Sequence, residues 1–118
     1  MKDSENIIVN LSFDFALAII EYCEILEHNK RYVIANQLLK SGTSIGANIR
    51  EAQNAESKND FIHKFKIAAK EVEETIYWID LCSQSINYPE CNHLKEKIQV
   101  ISKIVNKIII TFNKKNKR

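Results

Sequence analysis

Glycine and proline are scarce in this sequence, which has only two glycines and one proline among its 118 residues. A β-sandwich or a doubly wound α/β sheet needs many more turn residues of these two types, so the composition argues against both folds. No apolar run approaches the roughly 20 residues that a membrane-spanning helix requires. The polar, acidic start of the chain, Met1–Glu5, is not followed by the apolar core of a signal peptide. We therefore expect a cytoplasmic protein with no membrane partner.

The residue patterns of common catalytic and cofactor sites are also missing. The sequence has no glycine-rich dinucleotide-binding loop, no P-loop and no Gly-x-Ser-x-Gly motif. Its three cysteines, Cys23, Cys82 and Cys91, are odd in number and far apart, which is typical of reduced, packed thiols and not of a disulfide framework or a zinc site. We predict a protein that is not an enzyme and that has no cofactor and no metal.

Two pairs of side chains come nearest to a chemical site. Glu90 and His93 form a Glu-x-x-His pair, but a di-iron bundle needs such pairs in the middle of two helices, and this pair opens a helix. Glu71 and Glu74 could act as paired carboxylates. They are only i, i+3 neighbours on a mixed face with lysines nearby, so we interpret them as solvated or as intersubunit salt-bridge partners.

Four amphipathic segments separated by short polar breaks dominate what the sequence does contain. Apolar residues recur at helical spacing in each segment, and the fourth has a heptad seam that includes Ile108 and Phe112. The predicted helices are about residues 5–27, 32–55, 58–86 and 90–113, followed by a basic tail at 114–118 that we expect to fray. Ser57 and Asp60 predict the start of the third helix, and Pro89 predicts the first turn of the fourth. The fold prediction is one domain, residues 1–118, that is all-α: an antiparallel up-down-up-down four-helix bundle.

Both glycines, Gly42 and Gly46, fall inside the second segment. Each costs a helix interior roughly 1 kcal/mol relative to alanine. Close approach of another helix would offset this cost, because a residue without Cβ leaves room for a neighbouring backbone. An alternative is a turn at Ser41–Thr43 that splits the segment into two shorter helices. We favour one continuous helix, because the apolar stripe keeps its phase across the glycines.

The first segment is apolar on two sides. Besides its core stripe, which includes Ile25, it has a second stripe of Phe13, Leu17 and Ile20 on nearly the opposite side. A helix that is apolar on two sides needs two partners, so we predict that this stripe and Trp78 form a homo-oligomer interface. Alternatively, the residues of the stripe are simply exposed apolar side chains that the protein tolerates. For Trp78, the alternatives are a core position and a platform on which a nucleobase stacks.

Charge is unevenly distributed along the chain. Residues 1–88 have 9 Lys and Arg against 13 Asp and Glu, a net charge of −4, whereas residues 89–118 have 8 against 2, a net charge of +6. Such a basic arm predicts contacts with nucleic-acid phosphates, although a solvated, solubilising face gives the same pattern. The second hypothesis is a protein adaptor, in which the acidic part recruits a basic protein. The candidate nucleic-acid-binding residues are Lys95, Lys103, Lys107, Lys114, Lys115, Lys117 and Arg118.

The sequence resembles a known bacterial protein family. The pieces Ser44-Ile45-Gly46-Ala47-Asn48-Ile49, Glu51-Ala52 and Glu71-Val72-Glu73-Glu74-Thr75 with Tyr77-Trp78 occur in the order and spacing of the four-helix-bundle family encoded in intervening sequences of bacterial 23S ribosomal RNA genes. The resemblance covers about residues 13–81. It implies a four-helix bundle and a homo-oligomer, with a pentamer as the expected ring.

This resemblance also bears on the partners. Related bundles include the accessory protein of diversity-generating retroelements, which resembles a homopentamer that binds nucleic acid and a reverse transcriptase. RNA or DNA, and a nucleic-acid-processing protein, are therefore expected partners. The N-terminal three-quarters of this chain is acidic, so a ring of its copies would not be basic all round. We therefore expect the binding surface only on the last helix and the tail.

Overall fold

The computed structural model describes residues 3–116, with side chains from residue 7 onwards, and these residues form four α-helices. Each helix lies beside two of the others: α1 and α3 are both adjacent to α2 and α4, whereas the backbones of α1 and α3, and those of α2 and α4, are diagonal to each other. This arrangement confirms the predicted all-α up-down bundle. The helices are α1 (Asp3–His28), α2 (Tyr32–Ala52), α3 (Lys58–Gln84) and α4 (Asn92–Asn116).

The helix ends differ from the predicted ones by a few residues. α2 ends at Ala52 and not at 55, and α3 ends at Gln84 and not at 86. Ser57 caps α3 as predicted, because its hydroxyl accepts a hydrogen bond of 3.0 Å from the backbone N–H of Asp60. Ile86, which falls within the predicted third helix, lies beyond its observed end and is 86% exposed.

The start and the end of α4 also correct the prediction. Pro89 was expected in its first turn, but α4 begins three residues later, at Asn92. A long-range contact explains this position: the Tyr22 hydroxyl of α1 donates a hydrogen bond of 2.7 Å to the Pro89 carbonyl, which holds the α3–α4 connection against α1. At the other end, α4 continues through Asn116, so Lys114 and Lys115 are helical and not part of a frayed tail.

The core is a single cluster between the four helices. In α2 and α3, the apolar side that recurs at helical spacing is the side that faces this cluster. In α1, however, the predicted core residue Ile25 is 48% exposed, and the core includes Ser12 and Cys23 instead. The largest fully buried side chains are Ile8, Phe15, Ile19, Leu26, Leu38, Ile45, Ile49, Phe65, Ile79, Leu94, Ile98 and Ile101.

Close packing of α1 against α2 accounts for both glycines. α2 is one continuous helix through Gly42 and Gly46. A Cβ atom on Gly42 would lie 2.9 Å from the Ile19 Cγ1 atom, and one on Gly46 would lie 3.3 Å from the carbonyl oxygen of Ser12. The glycines therefore let a fully buried side chain and a backbone segment of α1 approach α2 more closely than any other residue would allow.

Within residues 3–116, no helix has the combination of length and hydropathy that crossing a bilayer requires.

Candidate nucleic-acid interface

The last helix has a clear division between a buried side and an exposed basic side. Leu94, Ile98, Ile101 and Val105 are buried against α1 and α3. Lys103, Lys107 and Lys114 are exposed on the opposite side. At 1.5 Å per residue, these lysines lie about 6 Å and then about 10 Å apart along the helix axis. We call Lys103, Lys107 and Lys114 the lysine line.

The lysine line has no carboxylate partner within the described side chains. A salt bridge of 2.9 Å joins Lys64 and Glu51, away from this side of α4. One acidic residue, Glu96, lies seven residues before Lys103 and therefore on the same side of α4. The C-terminal two-thirds of this face thus presents three ammonium groups to solvent, where they are able to bind anions.

The other predicted cations do not extend this line. Lys95 is half-buried and lies on a different flank of α4, near enough to the Cys91 thiol to influence its pKa. Lys115 faces a groove described below. Lys117 and Arg118 lie outside the described residues. The structure therefore brings together three of the seven candidates.

A groove adjoins the lysine line, and no pattern in the sequence predicted it. It has a volume of about 980 Å³ and lies where the start of α1, the α2–α3 connection and the last turns of α4 meet. Its apolar lining includes Ile7, Phe61, Ile104, Ile108 and Phe112, and Lys58, Lys107 and Lys115 lie among its lining residues as well. We call this space the end groove.

The end groove exists because the α4 seam loses its cover near the end of the bundle. Ile108 and Phe112 were predicted as ordinary core residues, but both are only half-buried. The ring of Phe112 stacks on that of Phe61, with centroids 6.1 Å apart and planes at 25°. How much of a heptad seam is covered depends on how far the neighbouring helices extend. The residue pattern of α4 gives no information about those lengths.

The predicted interface residues of α1 form an exposed apolar stripe. Phe13, Leu17 and Ile20 are each between 39% and 49% exposed. Phe13 and α2 together line a shallow cleft, and the guanidinium carbon of Arg50 lies 5.4 Å from the centroid of the Phe13 ring. The stripe therefore borders α2, where a second protein surface could cover it.

Trp78 of α3 lies on one flank of α2, and the Phe13 stripe of α1 lies on the other. Lys64, Glu71 and Trp78 share one line along α3 at heptad spacing, and Lys64 pairs with Glu51 of α2. Trp78 is half-buried, with its ring edge-on to that of Tyr77 at 5.2 Å. Its indole nitrogen is buried without a hydrogen-bond partner among the described atoms. The two parts of the predicted interface are thus separated by the exposed face of α2.

The apolar and basic surfaces lie on opposite sides of the bundle. Phe13 and Trp78 flank α2, whereas the lysine line lies on the outer side of α4, and α2 and α4 are the diagonal pair. A contact between copies of the chain around α2 would therefore leave the lysine line open.

The Glu71 carboxylate and the thiols of Cys23 and Cys82 are wholly or partly buried among other side chains. Burial, followed by the charge of Glu74, raises the pKa of the Glu71 carboxyl, and Lys40 opposes this change. Burial raises the pKa of Cys23 to about 12 and that of Cys82 to about 11. These thiols stay protonated at neutral pH and are weak nucleophiles. Among residues 7–116, no group of three or more His, Cys, Asp or Glu side chains is arranged to hold a metal ion.

Residues 4–107 match the family described as 23S rRNA-intervening sequence protein. The chain belongs to this family. A similar solved structure is the crystal structure, at 1.70 Å resolution, of a protein of unknown function from the S23 ribosomal protein family of Bacteroides thetaiotaomicron. It superposes with a TM-score of 0.82 at 38% sequence identity, over 90% of this chain and 97% of that one. No protein of curated function matches the chain.

Membership in the 23S rRNA-intervening sequence protein family confirms the predicted resemblance and the bundle. The matched residues include Lys103 and Lys107 and end before Lys114. The matched relative has no established function, so the chemistry of the surface has to be argued from this chain.

Proposed function

We propose that this protein is a cytoplasmic, non-catalytic binding module that self-associates through the flanks of α2 and holds RNA or DNA on α4. The observation that supports nucleic-acid binding most directly is the lysine line, in which three exposed ammonium groups on one helix face have no carboxylate partner among residues 7–116. Unpaired lysines contact phosphates without reading the bases, and they give an affinity that falls steeply with salt.

Self-association would compensate for the small number of phosphate contacts that one copy can make. Three lysines per copy give only weak, non-specific binding at moderate salt. Copies joined around α2 would present several lysine lines to one strand, and the second contact would then be intramolecular. The diagonal placement of α2 and α4 is compatible with both contacts at once. The family resemblance suggests that the assembly is a pentameric ring. It also suggests a nucleic-acid-processing protein as a further partner.

The test compares two triple variants of equal charge. In the first, Lys103, Lys107 and Lys114 are replaced by alanine. In the second, the exposed lysines Lys66, Lys70 and Lys97, none of which lies on α2 or lines the end groove, are replaced by alanine. Fluorescence anisotropy with a labelled mixed-sequence RNA is measured across a salt series.

Loss of the lysine line should lower the slope of log affinity against log salt by about 2 to 3 for each copy that contacts the strand, because each lost phosphate contact removes about 0.7 to 0.9. The second variant should keep most of the slope. Equal losses in the two variants would show that net charge alone attracts the RNA, and the proposed α4 surface would be wrong.

A second candidate function is a protein adaptor, and the outer face of α1 favours it. Asp14, Glu21 and Glu24 are exposed there, close in sequence to the exposed Leu17 and Ile20. Carboxylates beside apolar side chains suit a basic amphipathic segment of another protein. An adaptor should purify free of nucleic acid at low salt, whereas a nucleic-acid-binding module should retain RNA or DNA under the same conditions.

A further inference from the structure

Lys107 belongs to two surfaces at once. It is the middle residue of the lysine line, and it is also a lining residue of the end groove. A strand whose phosphates follow the lysine line therefore passes the opening of the groove. Lys58 from α3 and Lys115 from α4 add two further cationic side chains around the same opening.

The interior of the end groove suits a flat, apolar group. Ile104, Ile108 and Phe112 of α4 line it together with Phe61 of α3, and the two phenyl rings stack on each other with centroids 6.1 Å apart. Nucleobases stack on aromatic side chains whatever their sequence, because every base has a π face. The volume of about 980 Å³ leaves room for more than one side-chain-sized group.

Polar groups at the edge of the groove could bind the edges of a base. The side-chain amide of Gln53 donates to the Ile49 carbonyl at 3.0 Å, and that of Asn116 donates to the Phe112 carbonyl at 2.8 Å. Each amide keeps an oxygen that can accept a hydrogen bond from another donor. Both residues line the groove.

We propose that the end groove takes unpaired bases of a single-stranded nucleic acid whose phosphates lie along the lysine line. This inference rests on the proposed nucleic-acid function and narrows it to single strands. A base within a duplex is stacked and paired, so it cannot enter a groove of this kind, whereas an unpaired base can turn out of the strand. The cationic opening complements the phosphates, and the apolar interior complements the bases.

The first experiment compares single strands with a duplex. Fluorescence anisotropy is measured with labelled oligouridylate, labelled oligothymidylate and a labelled hairpin duplex of equal phosphate number, at low salt. We expect both single strands to bind at least about fivefold more tightly than the duplex, which corresponds to one stacked base. Equal affinity for the single strands and the duplex would overturn the inference and leave the lysine line in place. Absence of binding to all three would overturn the proposed function as well.

A pair of charge variants locates the effect. Thr111 and Asn106 are both exposed on α4, but only Thr111 lines the groove. Thr111→Glu should weaken the binding of single strands more than that of the duplex, whereas Asn106→Glu should weaken both alike. If the two variants behave identically, the groove does not take part.

A second pair of variants tests stacking without changing the charge. Phe112→Leu removes a π face and keeps most of the apolar volume, and Tyr77→Leu makes a similar change at an exposed site away from the groove. Only Phe112→Leu should lower the affinity for single strands, by about fivefold or more.

Competition with polyglutamate tests whether the surface recognises more than charge. If polyglutamate displaces oligouridylate as well as unlabelled oligouridylate does at equal charge, the surface recognises charge alone and the inference is wrong.

Discussion

The hydroxyl groups of Ser41 and Thr75 lie 2.9 Å apart in the buried seam between α2 and α3. The Thr75 oxygen also lies 2.6 Å from the Glu71 carbonyl, whereas the other neighbour of the Ser41 hydroxyl, the Leu38 carbonyl, is 3.5 Å away. Each hydroxyl has one hydrogen. Thr75 can therefore use its hydrogen on Glu71 and accept from Ser41. Ser41 depends on Thr75 more than Thr75 depends on Ser41.

This asymmetry predicts unequal costs of removing the two hydroxyls. Thr75→Val keeps the shape of the side chain but leaves the Ser41 hydroxyl with a poor partner, so it should lower the free energy of unfolding by about 1 to 2 kcal/mol. Ser41→Ala should cost less, because Thr75 keeps its bond to Glu71. Urea denaturation of both variants and of the double variant measures the coupling. If Thr75→Val costs the same with serine or alanine at position 41, the two hydroxyls are not coupled.

Replacement of Gly42 by alanine should destabilise the α1–α2 contact. The new Cβ atom would lie 2.9 Å from the Ile19 Cγ1 atom, and Ile19 is fully buried and cannot move away freely. Overpacking of this kind costs about 1 to 3 kcal/mol, which exceeds the gain of roughly 1 kcal/mol in helix propensity.

A second glycine on the same helix provides the comparison for Gly42. Gly46→Ala should have a smaller effect, since its Cβ would lie 3.3 Å from the nearest atom, the Ser12 carbonyl oxygen. Chemical denaturation measures both changes. A Gly42→Ala protein as stable as the wild type would show that α1 can shift away from α2 at little cost.

The buried thiols predict a loss of stability at alkaline pH. Burial raises the pKa of Cys82 from the usual 9.0 to about 11 and that of Cys23 to about 12. The unfolded chain therefore loses these protons first, so stability is fully present below pH 9 and falls from about pH 9 up to about pH 11 for Cys82 and up to about pH 12 for Cys23. Each thiol contributes at most about 1.4 kcal/mol per pH unit in this window.

Urea denaturation at several pH values between 8 and 11 tests this behaviour. The matched control is Cys23→Ala, which should show a shallower fall with pH whatever its stability at neutral pH. An identical pH dependence in the wild type and the variant would mean that the Cys23 thiol titrates alike in the folded and unfolded chains.

Helical periodicity predicted the bundle because it records which side of each helix is buried. The spacing of Leu94, Ile98 and Ile101 fixes the inward side of α4, and the same 3.6-residue period places Lys103 and Lys107 outside. Local patterns failed where distant residues decide the structure. Pro89 is held by a hydrogen bond from Tyr22, 67 residues earlier, so its own turn preference could not locate the start of α4.

The candidate site was only partly predictable for the same reason. The lysine line comes from one helix, and its members could be recognised from their spacing. The end groove needs Ile7 from α1, Phe61 from α3 and Phe112 from α4 to meet at one end of the bundle. No stretch of the sequence contains that combination, because it depends on the relative lengths and ends of three helices.

The apolar stripe on α1 predicts that a single charge will break self-association. Phe13 is 49% exposed and borders α2. Phe13→Glu should reduce the mass in solution towards the 13.7 kDa of one chain, because a carboxylate buried between copies without a partner costs several kcal/mol. Light scattering at one protein concentration gives the mass of the wild type and of the variant.

Ile25 offers a matched control on the same helix for Phe13→Glu. It is 48% exposed. It lies 18 residues, or about five turns, after Ile7 and therefore on the same side of α1 as Ile7, which lines the end groove together with residues of α4. Ile25→Glu should leave the mass of the wild-type assembly unchanged. If both variants lower the mass equally, the copies do not meet specifically around α2. If neither does, Phe13 is an exposed side chain of a bundle whose copies associate elsewhere or not at all.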